Sequence, residues 1–376
     1  MSDRIYLDNA TAARPSKGAI VAMMPFFETS FGAVGAPHEM SRELLAPMQA
    51  ALASIAALFH AKENDHFVFT ASGAEAVNQV IHTAYFEIAK RTGKNHCITS
   101  CVDEAPGVLA LQALEEEGVE VTMVPISKSG VVEYKTLVEA ITPRTALISI
   151  TLASGLTGVI QPFSEIAKLC KERAIALHID VTHAVGKLKM DIEELGATFI
   201  TFNGEQFHAP RGTGGIFSRG IKPTPFIYGA PLNTALLAAT GQAALEAEQD
   251  TNLYCTEVAR MKSLFEEKVI EGYPEAVILF QDAERLPHIT TLSFPGLHHE
   301  LLLFHLNRKN LFATIGGGVF QSLEAILQQA GFDPIVAQGA ISFALSKETQ
   351  EKEVVRAAQI IIDAAKKMRR LTKTLV

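Results

Sequence analysis

Cysteine is scarce in this 376-residue chain: Cys97, Cys101, Cys170 and Cys255 are its only four, and they are scattered. So thin a supply excludes a disulfide scaffold and suits a reducing compartment. Cys97 and Cys101 stand one residue too far apart for a redox CxxC pair, and small buried side chains are the simpler expectation for them. Basic charge is also in deficit, with 33 lysines and arginines against 41 acidic residues and a net charge of −8. No broad basic surface follows from that balance, so nucleic acid is not expected as a ligand. The one basic stretch, KKMRRLTKTLV at the C-terminus, reads as the end of a last helix, where cations suit the negative end of the helix dipole. No uncharged run reaches the roughly 18 residues that a membrane span requires, and MSDRIYLDNA lacks the basic-then-apolar pattern of a secretory signal. A cytoplasmic protein without membrane contact is expected.

What the chain does contain is an alternation of two periods. Hydrophobic residues make up 48 % and charged ones 20 %, which leaves little room for long disordered tails. Residues 41–60 place Leu44, Leu45, Met48, Leu52, Ile55 and Leu58 at helical spacing, which predicts a helix with one buried stripe. HFVFT (66–70) predicts a strand, ASGAEAVNQVIHTAYFEIAKRTG (71–93) a turn and a helix, and NHCITS (95–100) the next strand. VEVTMVPI, TALISITLA, IALHIDVTHA, ATFITFNG and GGIFSR continue the series. Near-continuous apolar strands separated by helices predict a mainly parallel sheet covered on both faces, with ligands beyond the carboxyl ends of its strands. Prolines and glycines interrupt the pattern around 220–235, a long helical stretch follows to about 272, and HITTLSFPG, LFATIGG, AISFALS and a final amphipathic helix predict a smaller α+β unit. The expected division is a large α/β domain over 15–260 and a small α+β domain formed by 1–14 and 261–376.

Several strand ends carry a resemblance. IYLDNATAARP, FTASGAEAVN, GVIQP, HIDVTHAVGK, TFNGEQFHAPRGTGG, LSFPG and FALSKET, in that order over nearly the whole chain, resemble the cysteine desulfurases of the class V aminotransferase family. The resemblance implies the fold type I architecture of pyridoxal-phosphate (PLP) enzymes, with a mainly parallel sheet in the large α/β domain, and a homodimer. It also implies a site in which a lysine forms a Schiff base with PLP, an aspartate pairs with the ring nitrogen, a flat side chain stacks on the ring, a loop cysteine accepts sulfur and an arginine binds the substrate carboxylate.

Carried over position by position, that resemblance gives a depleted site. Asp180 stands where the ring-nitrogen aspartate belongs, and His183 replaces a glutamine expected near the phenolic oxygen. The segment before the glycine-rich turn reads Asn203, Gly204, Glu205, Gln206, so the Schiff-base lysine has become an amide, whose delocalised lone pair cannot attack an aldehyde. Glu104 takes the place of the stacking histidine, Ala74 that of a phosphate-binding threonine, and Gly155 that of the asparagine near the cofactor oxygen. The persulfide cysteine aligns with Val319 and the substrate arginine with Ser342. The segment 226–234, which in the family helps complete the phosphate site across the dimer, looks short. Lys187 and Lys189 are the nearest amines, in a segment that the family pattern sends away from the site.

Two like charges 4 Å apart repel by roughly 4 kcal/mol at an effective dielectric of about 20. With Glu104 and Glu205 added beside Asp180 and no lysine or arginine left, the sequence predicts that PLP is not retained and that no cofactor is bound. The expected role is that of a catalytically degenerate relative acting by binding, to a second copy, to an active relative in a mixed dimer, or to a protein of sulfur or iron–sulfur metabolism. Two other readings stay open: an enzyme that holds PLP without a covalent link, and a divalent-metal site built from Asp180, His183, Glu104, Glu205 and His208, although no metal motif of fixed spacing is present and none is assigned. His298, His299 and His305 lie on an amphipathic helix start with Glu300 and lack zinc-protease spacing. His38, Asp8 and Asn9 are expected to fix loops.

Overall fold

The computed structural model describes residues 4–317 and 321–374. A short strand, β1 (Ile5–Tyr6), opens the chain. The main sheet is built from β2 (His66–Thr70), β3 (His96–Ser100), β4 (Glu120–Val124), β5 (Thr145–Thr151), β6 (Ala176–Asp180), β7 (Phe199–Asn203) and β8 (Gly214–Ser218). Its order is β2-β8-β7-β6-β5-β3-β4, parallel from β4 through β7. All seven residues of β5 and all five of β3 are buried, as strands covered on both faces must be, and this explains their unbroken apolar runs. β8 alone runs against its neighbours β7 and β2. The connection from Asn203 to Gly214 is too short for a helical crossover, so the chain turns back antiparallel. Gly214 is required there, because a Cβ would lie 2.5 Å from the Ser72 carbonyl carbon.

The helix expected over 41–60 is split at Leu44 into Glu39–Glu43 and Leu45–Leu58. Met48, Ala51, Ile55 and Leu58 form its buried stripe, while Leu45 and Leu52 are exposed. The stripe is therefore narrower than the leucine spacing suggests. Helix Thr234–Leu253 packs on it so closely that a Cβ at Gly241 would sit 2.4 Å from the Ala51 Cα. A π-helical turn, Tyr254–Val258, joins that helix to Ala259–Gly272, giving the long helical stretch expected from composition.

The last third adds β9 (Val277–Ile278), β10 (Ile289–Ser293), β11 (Leu311–Phe312) and β12 (Ala340–Ala344). β12, β10 and β9 form an antiparallel sheet, and β11 pairs in parallel with β1. This sheet packs with helices Ala259–Gly272 and Glu351–Thr374 around a separate apolar core that includes Ile5, Leu7, Phe265, Phe343 and Ile361. The N-terminal strand thus joins the C-terminal elements. Among the described residues no helix is long and apolar enough to cross a membrane.

Candidate functional site

β5, β6 and β7 end side by side, and the residues just beyond them converge where a parallel sheet offers its ligand crevice. Asp180 closes β6. Its Oδ1 accepts hydrogen bonds from the Thr182 main-chain N–H at 3.0 Å and the Thr182 hydroxyl at 2.6 Å. Burial, with Glu104 nearby as a second cause, pushes its carboxyl up to about 6. His183, buried, makes a close contact through Nε2 with Glu104 Oε1. Behind them Asp103 is fully enclosed, and burial raises it to about 6. It nonetheless accepts from the Thr99 hydroxyl at 2.6 Å and from the Ser100 and Thr151 N–H groups at 2.7 and 2.5 Å. Asp103 thereby clamps the end of β3 to β5. Asp103→Ala strips both amides of their acceptor and should cost about 2–4 kcal/mol, read as a shift in the denaturant midpoint; no change would mean that these amides find water.

Gln206 sits in the 3₁₀ turn Gly204–Phe207 just past β7 and is only 2 % exposed. Its Nε2 donates to the Ala10 carbonyl at 2.8 Å, tying the N-terminal segment to the sheet, and its Oε1 has no hydrogen-bond partner. Asn203 caps the turn, its Oδ1 accepting from Glu205 N at 3.2 Å. The Glu205 carboxylate is held by the exposed Arg211, Nε to Oε1 2.8 Å. His208, in a left-handed conformation at φ 69°, donates from Nδ1 to the Arg14 carbonyl at 2.7 Å and places Nε2 3.2 Å from the Tyr254 hydroxyl.

The remaining expected positions are equally concrete. Ala74 is exposed in the first turn of helix Gly73–Thr83, and the neighbouring Ser72 hydroxyl is used as that helix's N-cap, accepting from Glu75 N at 3.0 Å. Gly155 is buried in the turn after β5. Ser342, fully buried in the middle of β12, donates its hydroxyl to the Leu156 carbonyl at 2.6 Å. Val319 lies outside the described residues. His38 caps a helix, its Nδ1 accepting from Ser41 N, and Asn9 donates to the Ala344 carbonyl, so both fix loops.

Three expectations change on this geometry. The acidic cluster is only partly compensated: Glu205 turns to Arg211 and Glu104 meets His183, while Asp180, held by Thr182, still feels the Glu104 carboxylate. The repulsion inferred from composition overlooked Arg211, six residues downstream of Glu205. Lys187 is not sent away, because its buried Nζ donates to the main-chain carbonyl of Gln206, reaching back under the turn. Spacing hid it, since the seven residues from Asp180 to Lys187 run through a turn and not a strand. The metal reading also loses its convergence, as Glu205 and His208 are directed to Arg211, Arg14 and Tyr254. Among the described residues no group of three or more metal-binding side chains forms.

The sequence profile described as Aminotransferase class-V matches residues 5–356. The chain belongs to that family. Its relatives include cysteine desulfurase 2 of Trichormus variabilis, 27 % identical over 98 % of this chain and 94 % of that protein, and a cysteine desulfurase of Gluconacetobacter diazotrophicus, 29 % identical over 98 % and 95 %. A solved NifS-like protein superposes with a TM-score of 0.88 over 96 % of this chain and 98 % of its own, at 23 % identity, and confirms the fold.

Membership corrects the expectation of a chain without a cofactor: PLP is the cofactor of this family. The residues present fit one end of it. Asp180 is a buried carboxylate, the chemistry that a pyridinium nitrogen would need, whereas the amide of Gln206 would offer no amine to an aldehyde, and its own donor is spent on Ala10.

Proposed function

We propose that this class V aminotransferase family member does not release sulfur from cysteine and acts by binding, as a regulatory relative of the active enzymes. The observation that carries the reading is Gln206, buried and bonded to the N-terminal segment at the position matching the family's lysine. Ser342 supports it independently. A carboxylate substrate needs a bidentate cation, and the residue aligned with that cation is a serine whose hydroxyl is already committed to Leu156. A binding role is supported by Val21, Phe27, Phe31 and Tyr228, large apolar side chains that are 70, 62, 67 and 78 % exposed. The partner we propose is a second copy of the chain or an active relative in a mixed dimer, with a protein of sulfur or iron–sulfur metabolism as a further candidate.

A second reading, an active enzyme that holds PLP without a covalent link, is favoured by Asp180. The two separate on one assay. Purified protein given PLP, cysteine and a thiol reductant should release sulfide at the rate of the protein-free blank; cysteine-dependent turnover above it would overturn the proposal.

A further inference from the structure

Behind the Gln206 turn, adjoining that site through Lys187 and His208, lies a buried centre of basic side chains. His288, 1 % exposed at the start of β10, has no hydrogen-bond partner on either ring nitrogen. Its ring meets Tyr254 edge-on, centroids 5.6 Å apart, and the Lys187 Nζ lies 5.9 Å from the centroid of the same ring. His208 reaches the Tyr254 hydroxyl from a third direction. We propose that His288 and Lys187, both packed against Tyr254, form an internal site for one monovalent anion of halide size.

A buried imidazole with both nitrogens unpaired carries an unrecovered desolvation cost, and natural proteins leave few such groups without a partner. The sign of the missing partner follows from the neighbours. The groups acting on His288 are Lys187, His183, Lys262 and His208, all capable of positive charge. The carboxylates around them are engaged: Glu104 with His183, Glu266 with Arg285 and Thr290, Glu246 and Asp250 with Lys347. Among the described residues Lys187 and Lys262 donate to main-chain carbonyls alone, those of Gln206 and Leu286. Burial lowers these two amines to about 7 and about 8, the Glu266 carboxylate acting on Lys262 and only a second lysine, Lys347, on Lys187. An anion accepting from His288 N–H and Lys187 supplies both the hydrogen bonds and the charge. Its size is limited because the His288 ring centre and Lys187 Nζ lie 5.6 and 5.9 Å from the centre of the one Tyr254 ring. Nothing in this proposal depends on the reading of Gln206.

Diffraction from crystals of the full chain grown in sodium bromide tests it. An anomalous bromide peak touching a His288 ring nitrogen and Lys187 Nζ is expected; a water there, or bromide only at the surface, overturns the site. In solution, thermal unfolding in sodium bromide or chloride should be raised by roughly 2–4 °C over sodium gluconate at equal ionic strength. His288→Asn should erase that difference. Should that variant not fold, the wild-type halide dependence and the bromide peak decide alone, and their absence refutes the proposal.

Discussion

Gln206→Lys should release no more sulfide from cysteine than the wild type does. Restoring the amine mends one part of a site that needs several acting together, and groups that act as a unit lose their effect together. Release of sulfur from cysteine needs a cation for the substrate carboxylate and a group to accept the sulfur. Here Ser342 spends its hydroxyl on the Leu156 carbonyl, and Val319 aligns with the thiol position. Enzymatic accelerations commonly exceed about 10⁶-fold, so a working site would stand far above the blank. The measurement is sulfide release by purified variant with PLP, cysteine and reductant. Appreciable turnover from the single change would show that another residue binds the carboxylate and another accepts sulfur. The variant also loses the bond from Gln206 Nε2 to Ala10, so its folding is checked by unfolding midpoint first.

The largest stability effect is expected at the Arg285–Glu266 pair, which sits between helix Ala259–Gly272 and the segment leading into β10. Nη1 and Oε1 are 2.9 Å apart, and the side chains are only 9 and 11 % exposed. Glu266 also accepts from the Thr290 hydroxyl at 2.5 Å. Removing one member leaves a buried charge without its partner, so Arg285→Met should cost about 3–5 kcal/mol. The double change Arg285→Met with Glu266→Leu should recover much of that loss, because two charges no longer have to be desolvated. Chemical denaturation of the single and double variants checks both statements. A double variant no better than Arg285→Met would mean that the hydrogen bond to Thr290, and not the charge, dominates.

Much of the scaffold was legible because its causes are local. The apolar runs of β3, β5 and β7 and the Pro-Gly breaks around 220–235 each act within a few residues, and their order matches the folded elements. The narrower buried stripe of Leu45–Leu58 was not, since burial there depends on helix Thr234–Leu253, whose Gly241 lies against Ala51. The residues of the proposed site, Asp180 and Gln206 above all, are placed by the resemblance alone. Their electrostatics could not be read that way. Whether Glu205 repels a ligand depends on Arg211 folding back across a turn, and whether Lys187 is near Gln206 depends on the path after β6. His288 escaped notice for the same reason: its surroundings come from Tyr254, Lys187 and Lys262, residues distant in sequence.

The most direct test of the proposed loss of chemistry at Gln206 is borohydride reduction of the wild-type protein after incubation with PLP, followed by mass-spectrometric mapping of its peptides. Expected is no stoichiometric pyridoxyl group on any single lysine, with all bound PLP released on denaturation. One lysine, Lys187 or another, labelled to near one equivalent would contradict it.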